Sequence, residues 1–166
     1  LAGQEQRNDS LKLYTLEQRR VIPATLDEVW AFFSDPHNLA RLTPPALNLV
    51  VPADTPHEIH GGMIITYRIR AIAGLPMTWV TEISQVDAGR LFVDELRFGP
   101  YRFWHHQHHF REVAGGVEVR DLVHYAMPLG PLGGLVHALM VKAQLREIFA
   151  FRAQAIERLF GPDGMV

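Results

Sequence analysis

Cysteine is absent from this 166-residue chain, which rules out disulfides and thiolate metal centres together. Lysine is nearly absent: Lys12 and Lys142 are the only two, so the basic charge is carried by arginine. The formal net charge of -2 supplies no electrostatic reason to expect nucleic acid or anionic lipid as a partner. No apolar run approaches the roughly 18 residues that a membrane span requires. Leu1 to Ser10 lacks the basic start and apolar centre of a signal peptide and reads as a frayed polar tail. The expectation is a cytoplasmic protein with one domain over 11–161 and a short tail over 162–166, either a monomer or a homodimer.

What the chain does have is histidine, nine in all, four of them within Trp104 to Phe110. That run alternates like a strand, with Trp104, His106, His108 and Phe110 on one face and His105, Gln107 and His109 on the other. The surrounding pattern predicts mostly antiparallel strands. Leu11 to Ile22 reads as a first strand ended by Pro23. Thr25 with Glu28 forms a capping box for a helix carrying Val29, Trp30, Phe32 and Phe33. Asp35-Pro36 starts a second short helix, stopped by Thr43-Pro44-Pro45. Six runs of period two follow, at Leu47 to Val51, Met63 to Ile69, Met77 to Ile83, Leu91 to Phe98, the histidine run, and Val117 to Met127. Short turns join them, which argues for a meander. Pro131 to Phe160 is helical, but its apolar face switches near residue 142, as a kink or break would require.

Taking Gly115-Gly116 as a two-residue hairpin turn places Phe110 opposite Asp121, His108 opposite Val123, His106 opposite Tyr125, and Trp104 opposite Met127. This is the more apolar face, so His106, His108, Asp121 and Tyr125 are expected inward and His105, Gln107, His109 and His124 outward. The preceding strand adds Asp94 to the interior if its connection has three residues, or Glu95 if it has two. Asp94 is preferred because Phe92 and Leu96 share its face. Tyr67 and Thr81 are further inward polar groups.

The order of elements resembles the helix-grip, START-like superfamily, also called SRPBCC or polyketide cyclase/dehydrase-like. Pro23-Ala24-Thr25-Leu26-Asp27-Glu28-Val29-Trp30 through Leu39-Ala40-Arg41-Leu42-Thr43-Pro44 is similar to that superfamily's opening. Gly99-Pro100-Tyr101, Trp104-x-His106-x-His108-x-Phe110, Asp121-x-Val123-x-Tyr125 and Pro128-Leu129-Gly130 resemble a bacterial branch whose members occur alone or fused to epimerase-like domains. The resemblance implies an α+β fold: a first strand, two short helices and a six-strand meander, with the curved antiparallel sheet gripping a long C-terminal helix around an apolar cavity. It implies no single activity, because the superfamily includes lipid carriers, hormone and antibiotic binders, cyclases and dehydratases.

Apolar walls with a few convergent polar groups predict a binding site for a hydrophobic or aromatic small molecule. Its expected lining is Tyr67, Trp79, Thr81, Phe92, Asp94, Trp104, His106, His108, Phe110, Val123 and Tyr125, with Leu135 and Leu139 closing over it from the last helix. The alternative is a cyclase, dehydratase or isomerase in which His106 or His108 is the general acid/base, Asp121 or Asp94 its partner, and Tyr125 a donor to an enolate oxygen. His-x-His also puts two imidazoles on one side, as zinc or iron sites need, with Asp121 or Asp94 as a third ligand. No third histidine joins them on that face, so neither a metal nor another cofactor is expected. Arg152 interrupts the second apolar stripe of the last helix, either as an ion-paired side chain or as a guanidinium reaching the tunnel.

Overall fold

The computed structural model describes residues 12–70, 74–128, 133–134 and 137–161. The chain opens with strand β1 (Tyr14–Ile22) and helix α1 (Leu26–Phe33). The capping box forms as expected, with Thr25 Oγ1 accepting from the Glu28 amide at 3.3 Å and Glu28 Oε2 accepting from the Thr25 amide at 2.9 Å. Asp35 then caps the next segment through the His37 amide at 2.9 Å, and Pro36 occupies its first turn. That segment, Pro36–Leu42, winds as a 3-10 helix rather than an α-helix.

Five strands follow, β2 (Met63–Arg70), β3 (Pro76–Asp87), β4 (Leu91–Phe98), β5 (Phe103–Val113) and β6 (Gly116–Ala126). The curved sheet runs in the order β1-β6-β5-β4-β3-β2, antiparallel throughout. The meander therefore has five strands rather than six. The expected strand at Leu47 to Val51 contributes one isolated bridge, Val50 to Arg68. Its start is taken by a 3-10 turn, Pro45–Leu47, and by Asn48 in the left-handed region at φ 43°, which breaks the alternation.

The register of the last hairpin also differs from expectation. Val113 pairs with Gly116, so the turn is Ala114-Gly115, and His108 faces Asp121, His106 faces Val123, and Trp104 faces Tyr125. The pairing slips by two residues, which preserves every inward and outward assignment because side chains alternate with period two. The reason lies outside the hairpin. Gly116 has φ 139°, and a Cβ there would overlap the Ile22 carbonyl oxygen at the end of β1. The second glycine thus serves a close approach between strands, while Gly115 alone supplies the turn at φ 93°.

The long helix α2 (Lys142–Phe160) follows a π-helical turn, His137–Val141, so the expected break near residue 142 is present. Leu145, Phe149, Arg152, Ala155 and Ile156 form its buried face, continued by Val141 at the end of the π-helical turn. Two apolar clusters result. One holds Ile22, Val29, Phe92, Phe110, Val117 and Ile156, beneath α1; the other holds Trp104, Val123, Tyr125, Val141, Leu145 and Phe149. Along β5, Trp104 belongs to the second cluster and Phe110 to the first, and the two inward histidines lie between them. No helix of the described residues is long and apolar enough to cross a membrane.

Gly116→Ala is expected to destabilise the protein by about 1–3 kcal/mol through a strained backbone and the clash with Ile22. Gly61→Ala, at a position with nothing within 4 Å of the new methyl group, serves as the control. It should change stability by less than about 1 kcal/mol. Urea unfolding midpoints of the two variants check this.

Candidate functional site

Three adjacent strands and one helix bring five ionisable side chains to the junction of the two apolar clusters. Asp94 on β4 lies directly across from His106 on β5, and His108 lies directly across from Asp121 on β6. His106, His108 and Asp121 are all under 9% exposed, and the Asp94 side chain is 17% exposed. Each imidazole spans both carboxylates. His106 Nε2 donates to Asp121 Oδ1 at 3.1 Å and its Nδ1 is 3.3 Å from Asp94 Oδ2. His108 Nε2 donates to Asp94 Oδ2 at 3.0 Å, and its Nδ1 is 2.8 Å from Asp121 Oδ1 but off the direction of a hydrogen bond. The two rings lie face to face, with centroids 3.8 Å apart.

Arg152 closes the group from α2. Its Nη1 is 3.6 Å from Asp121 Oδ1, and its guanidinium lies 5.3 Å over the Phe149 ring. Nε and Nη1 are buried without a hydrogen bond. Burial alone would raise the pKa values of Asp94 and Asp121, but the flanking imidazoles, with Arg152 beside Asp121, hold both carboxyls below their ordinary range. Burial would likewise lower the pKa of His106, yet the Asp94 and Asp121 carboxylates hold it above the usual imidazole value. Burial, reinforced by Asp94, pushes the Tyr67 phenol up.

Asp94, His106, His108 and Arg152 face a cavity of about 180 Å³ between the sheet and α2. That is room for on the order of ten waters or a small aromatic molecule. Of the residues read from the sequence, Tyr67, Trp79, Thr81, Phe92, Asp94, Trp104, His106 and His108 line it. Trp79 Nε1 donates to Thr81 Oγ1 at 3.3 Å, and Trp79 meets Trp104 edge to face at 5.4 Å, so the aromatic wall is braced internally.

Four expected lining residues lie elsewhere. Phe110 is covered by α1, with Trp30 at 5.3 Å and Phe33 at 5.6 Å. Val123 is 1% exposed within the second apolar cluster. Tyr125 stacks on Tyr14 at 5.4 Å and meets Tyr101 edge-on at 5.9 Å, which takes it away from the cavity. Leu139 is 70% exposed, because Val141 is the inward residue of the π-helical turn and a position two residues earlier points to the far side. Leu135 lies outside the described residues. Asp121 sits behind the imidazoles and lines a smaller pocket with Arg152.

Other wall residues went unread as such. Leu145, Ile148 and Phe149 reach the cavity from α2, and the 3.6-residue stripe was their signal; Arg152, whose guanidinium the sequence offered as reaching the tunnel, lines it beside them. Phe32, Leu39 and Leu42 close it from α1 and the 3-10 helix, and nothing in their local pattern distinguished them from core. Asp35 also reaches the rim, where its carboxylate holds His37 and His57 at 3.0 and 2.9 Å. On the outer face, Glu95, His105, Gln107 and His109 form a chain of contacts of 2.8 to 3.0 Å.

The profile of the family described as polyketide cyclase / dehydrase and lipid transport matches residues 14–161, and the chain belongs to that family. No curated protein matches. Among solved structures, a Chromobacterium violaceum structural-genomics protein superposes with a TM-score of 0.67 at 18% identity, covering 90% of this chain and 99% of that one. Norcoclaurine synthase from Thalictrum flavum, in complex with dopamine and hydroxybenzaldehyde, gives 0.64 at 17% identity, covering 96% and 93%. Major latex-like protein 151 from Panax ginseng gives 0.65 at 14% identity, covering 90% and 99%. These likenesses show the helix-grip fold.

Asp121→Ala is expected to cost about 3–5 kcal/mol, since it leaves imidazoles and a guanidinium buried together without their shared counter-charge. Arg152→Met, which keeps the volume and removes N–H groups that make no hydrogen bond but also the ion pair with Asp121, should cost less, about 1–3 kcal/mol, because both imidazoles still face that carboxylate. Urea denaturation of both variants checks the difference.

Proposed function

We propose that this member of the polyketide cyclase / dehydrase and lipid transport family binds a mainly apolar, aromatic small molecule that carries one anionic oxygen group. The apolar body lies along Trp79, Trp104, Ile148 and Phe149, and the oxygen group meets Arg152. The observation that carries this reading is the cavity's composition: apolar walls that end on a guanidinium whose Nε and Nη1 have no hydrogen bond. A buried N–H without an acceptor costs free energy, and a ligand carboxylate supplies one with a fork that matches the guanidinium. The norcoclaurine synthase complex supports the aromatic part, because the same fold holds dopamine and hydroxybenzaldehyde there.

The catalytic alternative is less favoured. It needs an imidazole nitrogen free to exchange a proton with substrate, and both nitrogens of His106 and of His108 lie within 3.3 Å of a carboxylate oxygen.

Trp79 and Trp104 line the cavity, so intrinsic fluorescence reports occupancy. Titration with a series of arylalkanoates and their neutral amides should show saturable quenching, with the acids preferred. Arg152→Met should weaken the acids by roughly 10- to 100-fold while leaving the amides within a few-fold. Ile148→Trp should block both. Equal loss for acids and amides in Arg152→Met, or no quenching by any member and no small molecule retained in native mass spectra, would overturn the reading.

A further inference from the structure

Asp94, His106 and His108 present one ligand atom each within 4.8 Å of one another. We propose that they form a divalent transition-metal site of two imidazoles and one carboxylate, with Asp121 as the outer carboxylate behind the rings, hydrogen-bonded to His106. This goes beyond the binding reading and does not depend on any apolar ligand being present.

Geometry carries the proposal in two independent ways. First, Asp94 Oδ2 lies 3.0 Å from His108 Nε2 and 3.3 Å from His106 Nδ1. Donors around a first-row ion bound at about 2.1 Å are separated by about 3.0–3.4 Å, so the carboxylate oxygen already stands at coordination spacing from both nitrogens, and all three donors lie within 4.8 Å of one another. Second, the opposite nitrogen of each ring is turned toward a different carboxylate: His106 Nε2 donates to Asp121 Oδ1 at 3.1 Å, and His108 Nδ1 lies 2.8 Å from the same oxygen outside hydrogen-bond direction. A carboxylate behind a metal-bound imidazole sets which nitrogen carries the proton and leaves the other nitrogen's lone pair for the ion. Asp121 does this for His106 and is the carboxylate nearest the outer nitrogen of His108, and Arg152, 3.6 Å away, partners it in turn.

The setting suits an ion open on one side. Asp94 and His106 are direct cross-strand partners and His108 follows two residues along β5, so all three donors come from one face of two paired strands. All three line the cavity, which leaves the remaining coordination positions to water or ligand. A nitrogen-rich donor set with one carboxylate suits Zn²⁺, Fe²⁺, Co²⁺ or Ni²⁺ over Mn²⁺, Ca²⁺ or Mg²⁺. The other cluster of suitable groups, Asp35, His37 and His57, lacks this organisation: His57 is 77% exposed at its side chain, and no second carboxylate backs its rings among the described contacts.

The test uses the whole chain, stripped with chelator and then titrated with Zn²⁺ and with Co²⁺. The expected result is about one equivalent bound, with an unfolding midpoint raised by the metal and restored by chelator. Pulsed EPR of the Cu²⁺-loaded chain should show two coordinated imidazoles, a measurement that needs no variant to fold. Asp94→Asn should weaken Zn²⁺ binding by roughly 100-fold, whereas His57→Ala and the outer-face pair His105→Ala/His109→Ala should leave it within about twofold. Circular dichroism separates lost binding from lost fold. Binding below about a tenth of an equivalent at micromolar metal, or binding that disappears in His57→Ala or His105→Ala/His109→Ala and survives Asp94→Asn, would overturn the proposal.

Discussion

The middle of the sheet is held by two carboxylates with two imidazoles between them, and the rest of the interior is arranged to make that tolerable. Charges withdrawn from water cost several kcal/mol each unless paired, and here Asp94, His106, His108 and Asp121 are paired across three successive strands. The pairing explains why the apolar core is split in two, with Trp104 in one part and Phe110 in the other. It also explains why α2 carries an arginine on its buried face at position 152, where Asp121 awaits a cation.

The inward set was legible from alternation alone. A strand with Trp, His, His and Phe on one side can turn only one face to a core, and the two-residue slip of register left that choice intact. The exact partners were not legible, because Gly116 answers to the passage of Ile22 behind it, a contact with no local signature. Leu47 to Val51 was misread for a related reason: alternation of three apolar residues is cheap to satisfy by chance, and Asn48 and the prolines before it decided the backbone. Leu139 reads as inward with the first apolar stripe, whereas the π-helical turn buries Val141, on the opposite stripe. Asp94 was legible once the length of the Gly99-Pro100-Tyr101 connection was weighed against the apolar character of its face.

Fold and site separate cleanly in what they imply. The helix-grip architecture is shared with proteins under 20% identical to this chain, so the architecture alone selects no chemistry. The chemistry resides in a few side chains that this chain places at the end of an otherwise apolar chamber, and the strands that place them are interior to the sheet, paired on both edges. A site built on central strands is held rigidly, and any selectivity it has is set by the fixed spacing of its donors rather than by loop movement.

The sheet order has a kinetic consequence. Strand β1, first along the chain, pairs with β6, and Arg120 reaches Glu17 across 103 residues of sequence. Hairpins from β2 to β6 can zip one after another as the chain emerges, but the open side of β6 stays unsatisfied until β1 returns to it. Ile22 and α1, which roof the first apolar cluster, arrive with that strand. Closure of the interior is therefore a late, non-local step, and the charged group at its centre spends the preceding interval in water, where its members cost nothing to hold apart.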